Sequence, residues 1–523
     1  MGGGTPGRRL SKVSSPGSGL MYARPISAAG APSGERLGYR PSRGYAPYLD
    51  EAMMQPDLLS GTPARAAAGA AARGSTPPST RGFPLVGVLP HLLKDRLDYL
   101  LSAREQLGDL YTIDLGVARL VALNHPRHAQ HVLRDNARNY RKGGAIWESV
   151  RSLIGNGLPT SEGDLWLRQR RMIQPEFHRD RLAAMCDLMV QAIDDGMAGF
   201  GAAAAAGRPV NAERELPHIT MKVILNTMFG SGITKEEADA VGGSLRYALD
   251  YMLLGAALRA LPSWIPAPGR RRFERSAKAI DEHVFRFIAQ RRAQPGRGGD
   301  LLSILLATVD AETGEQMTNQ QLRDEAVSMF LAGYETTSVA LAWALHLLVE
   351  HPDLLRALAT EVDEALGDRR PGFADVPRLP LALAVVQEAL RLYPPAYWIP
   401  RTAIEDDEID GFHIPAGTMV GVMTYVLHRH PDHWEAPARF DPGRFTPEHA
   451  RARHPLAFIP FGIGQRQCVG KEFALMEGQL ILARLLQRYR ISAVPGRTTR
   501  LHFATTLRTS GGVWLRLEPR PGR

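Results

Sequence analysis

The sequence predicts a mainly α-helical protein with small β-sheets, an α+β fold. Residues 180–300 show mostly helical periodicity, and an amphipathic stretch of about 32 residues follows Thr318. Within Asp109–Leu123, apolar and polar residues alternate as they do in a β-hairpin. At 523 residues the chain exceeds the roughly 250 to 300 at which single cores stop growing, so one large or two ordinary domains are expected. Hydrophobic residues at 44% and charged residues at 22% exclude a chain disordered throughout, a collagen-like fibre and a multi-span membrane protein.

Residues 1–80 are predicted to be a disordered leader. They are rich in glycine and proline and hold nine Lys or Arg against four acids, which is five of the net charge of +9. The charge therefore lies largely in a tail and does not by itself predict a nucleic-acid surface. The pair Arg8-Arg9 is not followed by the apolar core that an export signal needs, so we expect a cytoplasmic protein. No apolar run reaches 18 residues, so we expect no transmembrane segment.

The ordered part is expected to begin at residue 81. Asp109–Gly116 and Leu120–Leu123 predict the two strands of a hairpin, and the prolines within 261–269 predict a break in the helical middle of the chain. Thr318, with Gln321 three residues later, predicts the start of a long helix that ends before His351-Pro352. At about 1.5 Å per residue this helix would be roughly 48 Å long and cross the molecule.

The most informative segment runs from Phe461 to Gly470. Its lone Cys468 lies between glycines, with Arg466 nearby and the start of a helix after it. A thiolate is stabilised by backbone amides, by a cation and by the N-terminus of a helix, so the segment favours a thiolate at Cys468. Taken alone, such a cysteine is more often a buried structural residue in a glycine-rich turn than a metal ligand. The spacing FxxGxRxCxG, however, resembles the haem-binding signature of the cytochrome P450 family, and Phe461, Gly464, Arg466, Cys468 and Gly470 occupy its fixed positions.

Further stretches resemble the same family over about residues 81–520, so we expect a single haem domain at 81–523. Glu388 and Arg391 are three apart on a helix, which alone would be an ordinary surface pair. In the family this pair is joined by an arginine of the segment that corresponds to Pro442–Phe445. The resemblance therefore implies a buried structural triad of Glu388, Arg391 and Arg444.

The long helix holds Ala332-Gly333-Tyr334-Glu335-Thr336 in its middle. A helix-interior glycine costs about 1 kcal/mol relative to alanine, so a packing role alone explains it poorly, although a small-residue helix crossing is an alternative. In the family this segment binds oxygen beside the haem. The resemblance makes Ala332 and Gly333 haem contacts, Thr336 the catalytic alcohol and Glu335 the acid that delivers protons.

The resemblance also implies a b-type haem with Cys468 as the iron ligand and clamps for its propionates. Trp166 and Arg170, four apart on a helix, match the family's WxxxR segment, and Arg401 stands where another propionate arginine is often found. The expected substrate pocket is mostly apolar, which fits a lipophilic molecule such as a terpene, a fatty acid or a polyketide. Its expected lining includes Ile146, Trp147, Leu153, Ile154, Phe330, Tyr397 and Trp398.

We therefore expect a monomeric monooxygenase that uses O2 and a separate electron donor, a ferredoxin or flavodoxin with its NAD(P)H reductase. A basic face of Arg168, Arg171, Arg466 and Lys471 would suit an acidic donor, or could simply be solvated. A haem-thiolate isomerase, dehydratase or carbon–carbon coupling enzyme is one alternative. A non-catalytic haem sensor is another, although it would have no need of Glu335 and Thr336.

Overall fold

The computed structural model describes residues 74–520, apart from residues 81, 84–85, 95, 117, 231–234, 260–267 and 294–299. Almost all of the predicted leader, and most of the predicted break at 261–269, lie outside the described residues. Within them the fold is mainly helical with small sheets, and this confirms the predicted fold class. No helix in the described part of the chain is long and apolar enough to span a membrane.

Seventeen α-helices lie within the described residues. In chain order they are α1 (Leu89–Lys94), α2 (Arg96–Leu107), α3 (Pro126–Gln130), α4 (Ala145–Ile154), α5 (Gly163–Ile173), α6 (Arg179–Gly196), α7 (Ala198–Ala205), α8 (Ala212–Phe229), α9 (Lys235–Arg259), α10 (Arg270–Ala293), α11 (Leu301–Ala307), α12 (Asn319–Glu350), α13 (Pro352–Leu366), α14 (Pro380–Leu392), α15 (Thr424–Leu427), α16 (Pro447–Ala452) and α17 (Lys471–Arg488).

The strands form four small sheets. They are β1 (Leu110–Asp114), β2 (Arg119–Leu123), β3 (Tyr140–Arg141), β4 (Val210–Asn211), β5 (Ile399–Ala403), β6 (Asp407–Ile409), β7 (Phe412–Ile414), β8 (Met419–Val422), β9 (Tyr489–Ala493), β10 (Arg500–Phe503), β11 (Leu507–Ser510) and β12 (Trp514–Pro519). The largest sheet has the order β1-β2-β8-β5-β3, and β4-β12-β9 forms a second. Strands β1 and β2 pair antiparallel, with Leu110 opposite Leu123, which confirms the predicted hairpin.

Helix α12 is the centre of the core. The Thr318 hydroxyl accepts the N–H of Gln321, and the Gln321 side chain accepts the N–H of Thr318, so the helix starts with a complete capping box, as predicted. It packs on α8, where the rings of Phe330 and Phe229 stack with centroids 4.4 Å apart. Near its C-terminal end, the Trp343 indole N–H donates to the Leu507 carbonyl at 2.7 Å. This bond fixes β11 against the helix.

Candidate active site

Residues 461–470, here called the cysteine loop, form a tight turn that packs closely against the rest of the protein. The Cys468 N–H donates to the Phe461 carbonyl at 2.9 Å and closes the loop. Gly464 has a φ of +71°, and a Cβ there would lie 2.2 Å from the Leu133 carbonyl oxygen. Only glycine fits both the conformation and the space. By contrast, Gly470 has an ordinary φ of −87°, so the loop does not need it for its backbone conformation.

The Cys468 sulfur lines an interior space. Its side chain is exposed, unlike that of the buried Cys186, yet surrounding protein raises the pKa of the Cys468 thiol. The N–H of Gly470 and the charge of Arg170 act in the opposite direction, because both favour the thiolate. A group that is exposed and also desolvated by its surroundings faces a cavity inside the protein.

One face of α12 opens onto an interior space as well. The segment around it is mostly buried, but Ala332 is exposed and Met329, Gly333 and Thr336 are half-exposed. These positions follow a spacing of three and four residues, so they share one helical face. Phe330, which we expected to line the pocket, is instead in the core against α8. Leu153 and Ile154 are also core residues, with 0% and 1% exposure, so their expected place in the lining is wrong.

Two features of this segment modify the expected roles. A Cβ on Gly333 would lie 2.3 Å from Cδ1 of Ile224, so the missing side chain makes room for α8, as in a small-residue helix crossing. The Thr336 hydroxyl donates to the Ala332 carbonyl at 2.5 Å. Because its proton is used there, the Thr336 oxygen is left to accept a hydrogen bond from the cavity.

Glu335 lies on another side of the helix. Its Oε1 accepts the Thr506 hydroxyl at 3.0 Å and Nε of Arg508 at 2.5 Å. Arg508 also binds Asp250 of α9 through Nη1 at 2.6 Å. Glu335 and Arg508 line a cleft together with Arg246 and Ser338. Neither Thr506 nor Arg508 could be linked to Glu335 by any local sequence pattern.

Four cations and the acid Glu162 gather near the cysteine loop. A neighbouring cation of this group lowers the pKa of each of Lys142, Arg401 and Arg466, and the charge of Glu162 acts in the opposite direction on all three. Burial and the neighbouring positive charges lower the pKa of Arg401 to about 10 and lower that of Lys142 well below its ordinary value. Such an excess of buried positive charge suits an anionic ligand that carries carboxylates. Lys142 was not expected from the sequence.

The structure places Trp166 and Arg170 of α5 beside the same loop. The Arg466 guanidinium lies over the Trp166 ring at 4.0 Å, and it also donates to the Ser161 carbonyl and pairs with Glu162. Arg170 Nη1 donates to the Gln467 carbonyl at 2.8 Å. Helix α5 is therefore attached to the cysteine loop by two arginines.

Glu388, Arg391 and Arg444 also lie together. Glu388 and Arg391 are fully buried on α14, with Nε to Oε2 at 2.6 Å, and Arg444 Nε is 3.5 Å from Glu388 Oε1. Arg444 in addition donates to the Ala436 carbonyl. This network joins α14 to the segment that precedes the cysteine loop.

The predicted basic face is largely neutralised. Arg168 pairs with Glu315, Arg171 with Asp310 and Glu312, Arg466 with Glu162, and Lys471 with Glu472. The acids that neutralise Arg168 and Arg171 belong to the segment before α12. These acidic partners reduce the net positive charge of the predicted basic face.

A second cluster of possible metal ligands lies near β1. Ligand atoms of Asp109, His125 and His430 lie within 4.8 Å of one another. Arg104 already supplies a cation here, because its Nε donates to Asp109 at 2.8 Å and its Nη2 lies 2.7 Å from His430 Nε2. The positive charge that a metal ion would bring is thus already present.

Comparisons with known proteins agree with this geometry. The family model described as Cytochrome P450 matches residues 77–515. Cyclooctatin synthase and cyclooctat-9-en-7-ol 5-monooxygenase of Streptomyces melanosporofaciens are each 35% identical to this chain, over 84% of it and 95% and 94% of their own lengths. Pentalenene oxygenase of Streptomyces avermitilis is 31% identical, over 84% of this chain and 97% of its own. A crystal structure of a cytochrome P450 haem domain aligns with a TM-score of 0.78 and 28% identity, covering 86% of this chain and 99% of that one.

Proposed function

The chain belongs to the cytochrome P450 family and is a monooxygenase of that family, and from this premise we propose that it oxygenates a cyclic terpene. The observation that carries the proposal is the similarity, over 84% of the chain, to three bacterial enzymes whose names specify cyclooctatin, cyclooctat-9-en-7-ol and pentalenene. The family implies a haem-iron cofactor. We propose that it is haem b.

The residues around the cysteine loop fit such a group. Cys468 offers a thiol that faces an interior space and is the proposed iron ligand. The excess positive charge of Lys142, Arg401 and Arg466 matches the two carboxylates of a haem, and Arg170 and Trp166 support the loop from α5. When bound, the haem iron would supply the activation of O2 that no amino-acid side chain provides.

The reaction needs protons as well as electrons. One oxygen atom of O2 enters a C–H bond of the substrate, and the other leaves as water with two electrons and two protons. We propose that the Thr336 oxygen accepts a hydrogen bond at the place where O2 reacts. Its own hydroxyl proton is not available there, because the hydroxyl donates to the Ala332 carbonyl. Glu335, next to the cleft, is the proposed proton carrier, and Arg508 holds its carboxylate until it is needed.

The interior face of α12 favours an apolar substrate. Met329, Ala332 and Gly333 present no charge, and Thr336 adds one hydroxyl. The ion pair of Glu335 and Arg508 lies on a different side of the helix. A bulky hydrocarbon skeleton with few polar groups suits such a surface better than a fatty acid, whose carboxylate would need a cation in the pocket.

We further propose that a ferredoxin or flavodoxin, reduced by its own NAD(P)H reductase in the cytoplasm, supplies the electrons. Because Arg168, Arg171 and Lys471 are paired with acids, the long-range attraction of this face for an acidic donor is weaker than the sequence indicates. We therefore expect association with the donor to depend only modestly on ionic strength.

The test uses the purified holoprotein. Cyclooctat-9-en-7-ol and pentalenene are titrated against it, with lauric acid as the comparison, and the shift of the haem Soret band is followed. Turnover is then run with NADPH, a ferredoxin, its reductase and ¹⁸O2. We expect a shift with at least one cyclic terpene and a product with one ¹⁸O atom. A shift with lauric acid alone would refute the terpene assignment, and a product without ¹⁸O would favour an isomerase or a coupling enzyme.

A further inference from the structure

Three consecutive charged residues near the start of α12 are buried. Arg323, Asp324 and Glu325 are 6%, 5% and 0% exposed. Charged side chains are almost never this buried without partners that hold them. Arg323 binds the backbone of the last turn of α4, and Asp324 and Glu325 bind the backbone of the segment that joins α4 to α5.

Arg323 donates one of these hydrogen bonds, and the two carboxyl groups accept the others. Arg323 Nη2 donates to the Leu153 carbonyl at 2.9 Å. Asp324 Oδ2 accepts the N–H of Asn156 at 2.8 Å, and Glu325 Oε2 accepts the N–H of Leu158 at 2.9 Å. The contacts are made to main-chain groups only, so they fix the path of the segment and leave its side chains free.

The segment passes very close to the helix, and glycines permit this. Gly155 has a φ of +62°, and a Cβ there would lie 2.3 Å from Asp324 Oδ1. A Cβ on Gly157 would lie 2.0 Å from the Ser328 hydroxyl oxygen. Any side chain at these positions would push the segment away from α12.

Glu325 differs from its two neighbours because no cation in the described part of the chain forms an ion pair with it. Arg323 binds Asp281 of α10 and Asp324, while Glu325 Oε1 is buried without a hydrogen-bond partner among the described residues. Burial, with a smaller contribution from the charge of Asp324, raises the pKa of Glu325 to about 8. The bond to Leu158 is therefore made at neutral pH by a carboxyl group that is mostly protonated.

Helix α4, which ends at this segment, connects several parts of the site. The Ser149 hydroxyl donates to the Met252 carbonyl of α9 at 2.8 Å. The Trp147 indole N–H lies 3.3 Å from the Pro400 carbonyl, next to Arg401, and Lys142 lies 5.1 Å from the Trp147 ring centre. A displacement of α4 would consequently reach both the cation cluster and α9.

We propose that Arg323, Asp324 and Glu325 are positioning residues that form a backbone clamp, which holds α4 at the position required for substrate to fit. They touch neither substrate nor cofactor. The effect on substrate rests on the proposed function, whereas the clamp itself does not. We expect the clamp to change substrate affinity and the position of oxidation, and to leave the chemical step of correctly bound substrate unchanged.

The first experiment needs no substrate and no variant. In the parent holoenzyme, hydrogen exchange of a peptide that covers residues 155–160 should be slow for a loop, about tenfold or more slower than in the exposed turn at 495–498. Equal exchange in the two segments would overturn the clamp. This measurement remains decisive if a clamp variant fails to fold.

The second experiment compares Glu325→Ala with Glu325→Gln, which keeps an oxygen that can accept the Leu158 N–H. Glu325→Ala should speed exchange at 155–160 about tenfold, and Glu325→Gln should stay near the parent. Glu350→Ala, at an exposed position on the same helix, is the matched control and should change nothing. Unchanged exchange in Glu325→Ala would overturn the clamp.

The third experiment measures the effect on substrate. With whichever of cyclooctat-9-en-7-ol and pentalenene binds the parent, Glu325→Ala should raise Kd about tenfold or give a new product isomer, with kcat within about twofold and an unaltered carbon-monoxide spectrum. Faster exchange with the same Kd and the same product would overturn the positioning role. If neither terpene binds the parent, the proposed substrate fails, and the exchange results still decide the clamp.

Discussion

The buried network around Arg391 allows the effect of one substitution to be worked out. All five guanidinium N–H groups have an acceptor: two oxygens of Glu388, at 2.6 and 2.7 Å, and the carbonyls of His428, Pro437 and Arg439. The Arg391 side chain is fully buried. Replacing it by alanine would leave the Glu388 carboxylate inside the protein without its main cation.

Removal of one member of a buried ion pair costs about 3 to 5 kcal/mol. With an unfolding entropy of about 2.1 cal/mol/K per residue, a domain the size of residues 77–515 loses roughly 1 °C of Tm for each 0.9 kcal/mol. Arg391→Ala should therefore lower the Tm by about 3 to 5 °C and reduce the yield of holoprotein. Arg391→Lys keeps the charge but has fewer N–H groups, so its Tm should lie between that of the parent and that of Arg391→Ala.

The assay is thermal unfolding followed by circular dichroism, together with haem content from the carbon-monoxide difference spectrum. Arg356→Ala is the matched control, because Arg356 pairs with Asp353 at the same spacing of three residues on α13, with both side chains exposed. The control should leave Tm unchanged. A Tm for Arg391→Ala equal to that of Arg356→Ala, with full haem content, would refute the argument from burial.

Further substitutions test the site itself. Cys468→Ser should abolish the strongly red-shifted carbon-monoxide band of a thiolate-ligated haem, and a retained band would exclude this cysteine as the ligand. Thr336→Ala should still bind haem and accept electrons but release more hydrogen peroxide per electron than the parent, whereas Thr337→Ala, about 100° further round the helix, should resemble the parent. Arg508→Gln should change the solvent isotope effect on turnover, because the Glu335 carboxylate loses the guanidinium that holds it. Finally, because the raised pKa of Glu325, about 8, lets the folded state keep a proton that the unfolded state has lost, stability should fall as pH rises from about 5 to 8. Glu325→Gln should remove that fall, and parallel Tm curves for the two proteins over this range would contradict it.

The long helix shows what local sequence signals can establish. Thr318 and Gln321 form the capping box that their spacing predicts, and the helix ends at Glu350, before the predicted stop at His351. These signals work because each depends on residues within one turn of the helix. The glycine required at position 464 was identified in the same way, from a motif whose members lie close together in sequence.

The direction in which a helical residue faces was much harder to predict. The resemblance singled out residues 332–336, but it did not show that Phe330 packs on α8 while Met329 is half-exposed. One residue along a helix is a rotation of about 100°, so a small error in phase exchanges core and cavity. The sequence likewise did not show which way Gly333 faces: the Ile224 side chain occupies the space that a Cβ of Gly333 would need.

Two long-range partners of the site, Lys142 and Arg508, could not be predicted from the sequence. Lys142 joins Arg401, more than 250 positions away, and Glu335 is held by Arg508, 173 positions away. Neither Lys142 nor Arg508 belongs to a recognisable local motif. Their proximity is a product of the tertiary fold, in which β11 is fixed to α12 by the Trp343–Leu507 bond.

Glu335 and Thr336 face different sides of α12, and this has a consequence for proton transfer. Thr336 faces the interior, whereas the Glu335 carboxylate faces the cleft and is bound to Arg508. If Glu335 carries protons as proposed, its side chain must leave Arg508 before the carboxyl group can turn toward the interior. Arg508 binds Glu335 through Nε and Asp250 of α9 through Nη1, so one guanidinium joins the acid to α9. A displacement of α9 would therefore reach Glu335 through Arg508, and under the proposed function a substrate that moves α9 would make proton delivery depend on its own binding.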